Sequence, residues 1–193
     1  MHKGRLEAFS DGVIAIIITI MVLEMKAPHG ADFAALKPLF PVFLSYLMSF
    51  IYLGIYWNNH HHLFQAVKHI DGRILWANSH LLFWLSLIPF VTAWMGENQF
   101  AAFPVALYGG VLLSAAVAYF ILVQVLLAHH GKDSLLAKAI GDDFKGKISL
   151  AIYLAAIALA FINPFLACAL YILVAIIWLV PDRRIEKVLD ITP

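Results

Sequence analysis

Two carboxylates enclose the first apolar run of the chain, FSDGVIAIIITIMVL, which extends from Phe9 to Leu23. Asp11 lies near the start of this run, and Glu24 follows directly after its end. A carboxylate can transfer a proton, hold a cation or pair with a cationic side chain. Along one helix the two would be roughly 20 Å apart, which excludes an acid–base pair within one subunit.

Histidines form the second group of side chains that could do chemistry. His60, His61 and His62 are consecutive in WNNHHHLF, and His80 ends the nearby stretch WANSH. Consecutive residues on a helix point about 100° apart, whereas a zinc site would require histidines at i and i+4. We therefore expect hydrogen-bonding histidines and no metal site, and a role in pH sensing stays open.

No catalytic motif accompanies these side chains. The sequence contains no GxSxG, no HExxH and no phosphate-binding loop, and its single cysteine, Cys168, lies in an apolar run. The net charge of +1 provides no basic tail for nucleic acid. We expect no enzyme, no cofactor and no nucleic-acid partner.

Composition indicates an integral membrane protein. Hydrophobic residues make up 63% of the chain and charged residues only 13%, about half the share found in a soluble domain. Hydropathy predicts an all-α membrane protein, a single domain over residues 1–193. It would have six transmembrane helices, at about residues 9–25, 39–57, 74–95, 104–127, 148–162 and 164–180. Asn163-Pro164 predicts a tight turn between the last two.

Positive charge is distributed unevenly over the loops of this topology. With the N-terminus inside, the outer segments hold only Lys26 and Lys37. The inner segments hold the remaining basic residues, Lys3, Arg5, Lys68, Arg73, Lys132, Lys138, Lys145, Lys147, Arg183, Arg184 and Lys187. The positive-inside rule therefore predicts that both termini are cytoplasmic. Removal of the first span as a signal peptide, the rival interpretation, would leave five spans in conflict with this pattern.

Polar residues collect at the inner ends of the first three spans. Ser10 and Asp11 open the first span, WNNHHHLF ends the second and WANSH begins the third. A carboxylate at membrane depth requires such partners, and a lipid-facing helix would gain nothing from it. We therefore expect one polar layer here, and a central first span that the longer apolar spans shield.

An aliphatic stripe follows along the first span. Ile16, Ile20 and Leu23 recur at i, i+4 and i+7 and fall within an arc of about 60°. Thr19 lies at the edge of that arc, and Glu24 flanks its other side. The spacing alone favours an ordinary packing face, because every face of this helix is apolar.

The stretch RLEAFSD, Arg5 to Asp11, fits the RxxxFSD signature that opens the first helix of the transmembrane protein 175 family. AIIITIMVL continues the similarity. The histidine-rich end of the second span and the six-span layout also resemble this family, the lysosomal and endosomal potassium channels and their bacterial relatives.

This resemblance implies an architecture. A chain with one six-span repeat resembles the bacterial members, which are homotetramers whose first helices line a central pore without a carbonyl filter. The narrowest ring would be formed by Ile16. Further apolar rings would come from Ile20 and Leu23, and a polar layer from Thr19.

The resemblance also implies a structural polar network. The Arg, Ser and Asp of the signature, here Arg5, Ser10 and Asp11, would be buried against the next two helices. Their partners would be drawn from His60, His61, His62, Asn78, His80 and Trp84.

The expected function is that of a potassium-permeable cation channel in the cell membrane of a prokaryote. Its partners would be K+, the lipid bilayer and further copies of the same chain. Glu24 would place negative charge at the outer mouth and concentrate cations there. The alternative is a proton-coupled or other secondary transporter that uses Asp11 and the inner-end histidines as a relay. A membrane-embedded structural protein without transport is the third possibility.

Overall fold

The computed structural model describes residues 2–67, 69–131, 134, 136–137 and 144–179, and all regular elements among them are helices. Helix α1 (Lys3–Leu23) precedes a 3-10 helix (Phe33–Leu39) that leads directly into α2 (Phe40–Gln65). The remaining helices are α3 (Gly72–Ser86), α4 (Ile88–Glu97), α5 (Ala102–His130), α6 (Phe144–Ala160) and α7 (Pro164–Leu179). The predicted cytoplasmic C-terminus and the basic residues Lys68, Lys132, Lys138, Arg183, Arg184 and Lys187 lie outside the described residues.

Four helical stretches of the described chain are long and apolar enough to cross a membrane. They are α1, the 3-10 helix together with α2, α3 together with α4, and α5, and they correspond to the first four predicted spans. The last two predicted spans are α6 with 17 residues and α7 with 16, shorter than the roughly 20 residues of a full span. The all-α membrane fold is confirmed.

The third predicted span corresponds to one membrane-spanning stretch, Gly72–Glu97, which consists of two helices. α3 ends at Ser86 and α4 begins at Ile88, with Leu87 between them. Pro89 explains the break, because its ring has no N–H to donate and collides with the carbonyl four residues earlier in a continuous helix. The regular helical hydrogen bonding is therefore interrupted at this level.

The first two helices also differ from their predicted bounds. α1 begins at Lys3, so the whole RLEAFSD signature is helical, and it ends at Leu23 with Glu24 as its C-cap. α2 continues past Trp57 to Gln65, so that the three histidines of WNNHHHLF lie on its last turns. The charged and polar side chains at these positions indicate the ends of the membrane-spanning segments, but the helices themselves continue beyond them.

Within the subunit the central helix is α5, not α1. α5 packs against α3, α4, α6 and α7, and residues along its whole length are buried. α1 packs against α2, α3 and α4 with one side only. The predicted central position of the first span is therefore not found within a single subunit, where α2, α3 and α4 cover one side of it.

Hydroxyl groups join the helices at membrane depth. The Oγ of Ser49 on α2 lies 2.6 Å from the Oγ1 of Thr92 on α4 and 3.0 Å from the hydroxyl of Tyr108 on α5. All three residues are buried. Polar groups inside a membrane protein must be satisfied by one another, so these bonds fix α2, α4 and α5 in register.

The tight turn predicted at Asn163-Pro164 is present between α6 and α7. The side-chain Oδ1 of Asn163 accepts hydrogen bonds from the backbone N–H groups of Phe165, at 3.0 Å, and Leu166, at 3.3 Å. Asn163 thus caps α7, and Pro164 occupies its first position, where a missing N–H costs nothing.

Candidate functional site

The predicted stripe on α1 faces away from the subunit. Ile16, Ile20 and Leu23 are exposed by 60, 42 and 74%, whereas Ile17 and Met21 on the opposite side are buried. The stripe therefore does not pack within its own subunit, and the ordinary interpretation of it as an internal packing face does not hold. Nothing in the part of the chain that the structure describes covers this face.

Polar residues share the exposed side of α1 with the stripe. Arg5 precedes Ile16 by eleven positions, which at about 100° per residue places both on nearly the same line of the helix. Thr19 is also exposed, and its hydroxyl donates to the carbonyl of Ala15 at 2.7 Å, leaving its lone pairs outward. A purely lipid-facing helix would lack these groups.

Glu24 lies at the outer end of this face. It is exposed, and it lines a groove between α1 and α4 together with Ile16, Ile20 and Glu97. Its carboxylate is placed at a helix C-terminus, where the helix dipole disfavours negative charge. Its position thus works against the stability of α1.

The signature serine belongs to a buried three-residue network. Ser10 Oγ accepts a hydrogen bond from Asn78 Nδ2 at 2.9 Å and donates to the carbonyl of Leu6 at 2.9 Å. Asn78 Oδ1 lies 2.8 Å from His60 Nε2. All three side chains are buried. They link α1, α3 and α2 at one level, and an isolated member would be costly inside the protein.

The signature aspartate has a different partner. Asp11 Oδ1 accepts a hydrogen bond from the indole nitrogen of Trp57 at 3.0 Å, and both side chains are exposed. Trp57 is not among the partners that the family resemblance predicts for the network. A usable signal was present, because an indole N–H at a membrane interface requires an acceptor and Asp11 was predicted at the same depth.

Arg5 is not brought into this network within the subunit. Its side chain is exposed, and among the described residues it makes no hydrogen bond or ion pair. The polar residues of the signature thus differ in their surroundings. Ser10 is buried in the subunit, whereas Arg5 and Asp11 lie at the subunit surface.

The other candidate partners make local contacts. His80 accepts a hydrogen bond from the indole of Trp84 one turn along α3, at 2.9 Å. His61 is exposed, lies 2.8 Å from Gln65 and stacks against Trp57. His62 is half-buried, with its ring edge-on to that of His61. The consecutive histidines point apart, and among the described residues no group of three potential ligands converges on a metal position.

A second link, which the sequence analysis missed, joins the loop after α2 to the end of α5. Asp71 caps α3 by accepting the N–H of Ile74 at 2.9 Å, and its other oxygen lies 3.3 Å from His129 Nδ1. The hydrogen bond from the N–H of Ile74 holds the pKa of the Asp71 carboxyl below its usual value, and the nearby His129 adds a smaller effect in the same direction. The link is a surface contact, because both side chains are about one third exposed.

Comparisons with known proteins find relatives of this chain, and one of them matches the region that contains the RLEAFSD signature. A family model described as "Endosomal/lysosomal potassium channel TMEM175" matches residues 5–89. A potassium channel of Chryseobacterium sp. (strain P1-3) is 59% identical over 187 residues, which cover 97% of each chain. A potassium channel of Chamaesiphon minutus is 33% identical and is matched over 91% of this chain and 92% of its own length.

A solved structure shares the fold. The crystal structure of a lysosomal potassium-selective channel TMEM175 homolog from Chamaesiphon minutus superimposes with a TM-score of 0.82 at 32% sequence identity. The match covers 93% of this chain and 97% of that one. The two chains thus share their fold over most of their length.

Proposed function

The chain belongs to the TMEM175 family, and from this premise we propose that it is a potassium channel whose pore is lined by α1 of four identical subunits. It is a multi-pass membrane protein of the prokaryotic type, with K+ as the permeant ion. The bacterial relatives named as potassium channels and the potassium-selective structural neighbour support this assignment.

The observation that carries the proposal is the composition of the exposed side of α1. This side combines the aliphatic residues Ile16, Ile20 and Leu23 with Arg5 and Thr19, and it is not covered by its own subunit. Arg5 lies at the inner membrane surface and is solvated there, so the uncovered aliphatic stripe and the Thr19 hydroxyl within the span are the groups that gain from contact with protein or water. Further copies around a central axis would supply both.

The constriction follows from the size of the side chains. A ring of branched aliphatic groups at Ile16 excludes water from a narrow pore and closes it without charge. A small widening admits a partly hydrated cation, and K+ loses water at lower cost than Na+. The ring therefore favours K+ moderately, and rings at Ile20 and Leu23 extend the apolar segment outward.

The outer mouth would carry negative charge. Glu24 from each subunit lies at the end of the stripe, and Glu97 lines the same groove. With the N-terminus inside, these carboxylates face the outside and raise the local concentration of cations. They act on conductance and not on the choice between K+ and Na+.

The buried network anchors the pore helix. Ser10, Asn78 and His60 hold the inner half of α1 against α3 and α2, so that its opposite side keeps a fixed orientation toward the axis. These residues position the constriction without contacting the ion.

A planar-bilayer recording of the purified protein tests the function. We expect unitary current steps and a reversal potential that is displaced toward the K+ equilibrium potential under opposing K+ and Na+ gradients. Slow, saturable flux coupled to a proton gradient, without unitary steps, would instead indicate the transporter. The transporter receives no support from the contacts of Asp11, whose hydrogen-bond partner is Trp57 and not a histidine.

Native mass spectrometry in detergent tests the assembly separately. We expect the mass of four chains. A stable monomer or dimer that still conducts K+ would contradict the proposed pore, because a single α1 cannot enclose an ion.

A further inference from the structure

The turn between α6 and α7 lies at the middle of a long uncharged segment. Residues 148–181 contain no acidic, basic or histidine side chain, and the chain reverses near their midpoint, at Asn163. The last charged residue before this turn is Lys147, sixteen positions earlier. A helix of that length rises about 24 Å, whereas the hydrocarbon core of a bilayer is about 30 Å thick. With Lys147 at one membrane surface, the turn therefore ends about 6 Å below the opposite boundary of the hydrocarbon.

The backbone N–H groups of this turn are satisfied within the hairpin. Those of Phe161, Ile162 and Asn163 donate to carbonyls of the last turn of α6 at 3.4, 2.9 and 2.8 Å. Pro164 has no N–H, and the next two N–H groups donate to the side-chain oxygen of Asn163. The N–H of Ala167 donates to the carbonyl of Asn163 at 3.3 Å. Irregular backbone at membrane depth requires such internal partners, and no N–H of this turn needs water.

The hairpin tip, residues 161–166, exposes large apolar side chains. Phe161, Ile162 and Phe165 are exposed by 60, 80 and 70%. The neighbouring α4–α5 loop is different, because its residues 97–99, Glu-Asn-Gln, are polar and exposed. The two turns lie side by side, since the ring centroids of Phe100 and Phe165 are 6.3 Å apart. The loop has the composition of a surface in water, whereas the hairpin tip has that of a surface in contact with a membrane.

The amide of Asn163 has a donor to spare. Its oxygen caps α7, but its nitrogen makes no hydrogen bond among the described residues, and the side chain is exposed. An amide N–H without a partner is costly in hydrocarbon. The ester carbonyls of lipids lie at the boundary of the hydrocarbon and are the nearest acceptors for a tip that ends just below it.

We propose that the hairpin tip is embedded in the leaflet opposite Lys147, which is the outer leaflet in the predicted topology, and that lipid covers it. Phe161, Ile162 and Phe165 lie among the acyl chains, and Asn163 donates to a lipid ester carbonyl. The hairpin thus enters the bilayer from one side and ends inside it, whereas the α4–α5 loop reaches the water.

The thickness of the bilayer then acts on the centre of the subunit. Tyr171 of α7 donates its hydroxyl to the carbonyl of Val105 on α5 at 3.2 Å, and its own carbonyl accepts the hydroxyl of Tyr52 on α2. A bilayer thicker than the hairpin must cover the tip more deeply or become thinner around it, at a cost that rises with the mismatch. The length of the lipid chains should therefore change the stability of the whole subunit.

The test measures the surroundings of the tip in the full-length protein. Ile162→Cys, made in a Cys168→Ala background, is labelled with a nitroxide and reconstituted into lipid nanodiscs, both faces of which meet the buffer. Electron paramagnetic resonance then measures collisions with oxygen, which is enriched in hydrocarbon, and with a water-soluble nickel chelate. The matched control is Asn98→Cys in the same background, at an exposed position of the polar α4–α5 loop.

We expect a nickel collision rate about tenfold lower in Ile162→Cys than in Asn98→Cys, because hydrocarbon excludes polar solutes, together with a higher oxygen collision rate. Equal nickel rates in the two variants would place the tip in water. Low rates for both reagents in Ile162→Cys would place it against a second copy of the chain. Either of these results would overturn the proposal.

A charge at the tip provides a second measurement that needs no label. Ile162→Lys should lower the melting temperature in nanodiscs by about 4 °C, whereas Asn98→Lys should leave it unchanged. The loss should shrink when the acyl chains are shortened from about 18 to about 14 carbons, because a thinner bilayer brings the headgroups to the tip. Equal effects of the two lysine variants, or a loss that does not depend on chain length, would contradict a lipid-embedded tip.

Discussion

The indole nitrogen of Trp57 lies 3.0 Å from Oδ1 of Asp11 and connects α2 to α1 at the exposed edge of the subunit. The preceding residue, Ser10, bonds to Asn78 in the buried interior. Two adjacent residues of one signature thus hold α1 from two directions. Because the helix is fixed on both flanks, its rotation, and with it the direction of the aliphatic stripe, is determined.

The first prediction concerns the bond between Asp11 and Trp57. Asp11→Ala and Trp57→Phe should each lower the free energy of unfolding by about 1 kcal/mol, because a charge-assisted hydrogen bond at a partly solvated site has roughly that value. The double variant should have a free energy of unfolding only slightly lower than that of either single variant, because both changes remove the same bond. Denaturant titration in detergent measures this coupling.

The matched control for that cycle is Trp76→Phe. Trp76 is exposed on α3, and its indole makes no hydrogen bond among the described residues. Its effect should add to that of Asp11→Ala. If the losses of unfolding free energy in Asp11→Ala and Trp57→Phe also add in the double variant, the bond between Asp11 and Trp57 does not stabilise the protein.

The second prediction concerns the buried network. Asn78→Ala removes the partner of His60 and the hydrogen bond that Ser10 accepts, and it should destabilise the protein by about 1–3 kcal/mol, because His60 is left buried without a partner while Ser10 still donates to the carbonyl of Leu6. Asn98→Ala is the control, since the amide of Asn98 is exposed and bonds only to the carbonyl of Trp94. Similar melting temperatures for the two variants would argue against an anchoring role.

The third prediction concerns the constriction. Ile16→Asn should raise unitary conductance and reduce the permeability ratio of K+ to Na+, because an amide ring stays hydrated where an aliphatic ring does not. Ile176→Asn, the same exchange at a residue of α7 with 58% exposure, should leave both quantities unchanged. An unaltered ratio in Ile16→Asn would remove Ile16 from the selective position.

The fourth prediction concerns the outer mouth. Glu24→Gln should lower conductance at about 0.01 M KCl and have little effect at about 1 M, since the screening length falls from roughly 30 Å to 3 Å. The reversal potential under mixed ions should not change. A change that persists at high salt would assign Glu24 a direct contact with the ion.

The fifth prediction concerns pH. The lowered pKa of Asp71 means that its contribution to stability is fully present above the unfolded value of about 4 and is lost as the pH falls through the folded value. Asp71→Asn should therefore unfold more easily than the unsubstituted protein near neutral pH. The difference should disappear in melting curves recorded under strongly acidic conditions.

Much of the architecture was predictable from the sequence. An apolar fraction of 63% can only be accommodated in a membrane, and hydropathy located the first four spans because a bilayer imposes their length. The turn at Asn163 was predictable because proline cannot continue a helix and asparagine caps the next one. The break at Leu87 was not predicted, although Pro89 indicates it in retrospect, because tertiary packing decides whether a membrane helix tolerates proline as a bend.

The hydrogen-bond partners of the polar side chains, and the direction in which each helix face points, could not be predicted from the sequence, for a physical reason. Sequence places Ser10, Asp11, His60 and Asn78 at one depth, but depth does not specify rotation about each helix axis. Helix packing rotated Ser10 toward Asn78 and Asp11 toward Trp57, and it left Arg5 at the surface. Likewise every face of α1 is apolar, so only the burial of Ile17 and Met21 against α2, α3 and α4 decided that Ile16, Ile20 and Leu23 face outward.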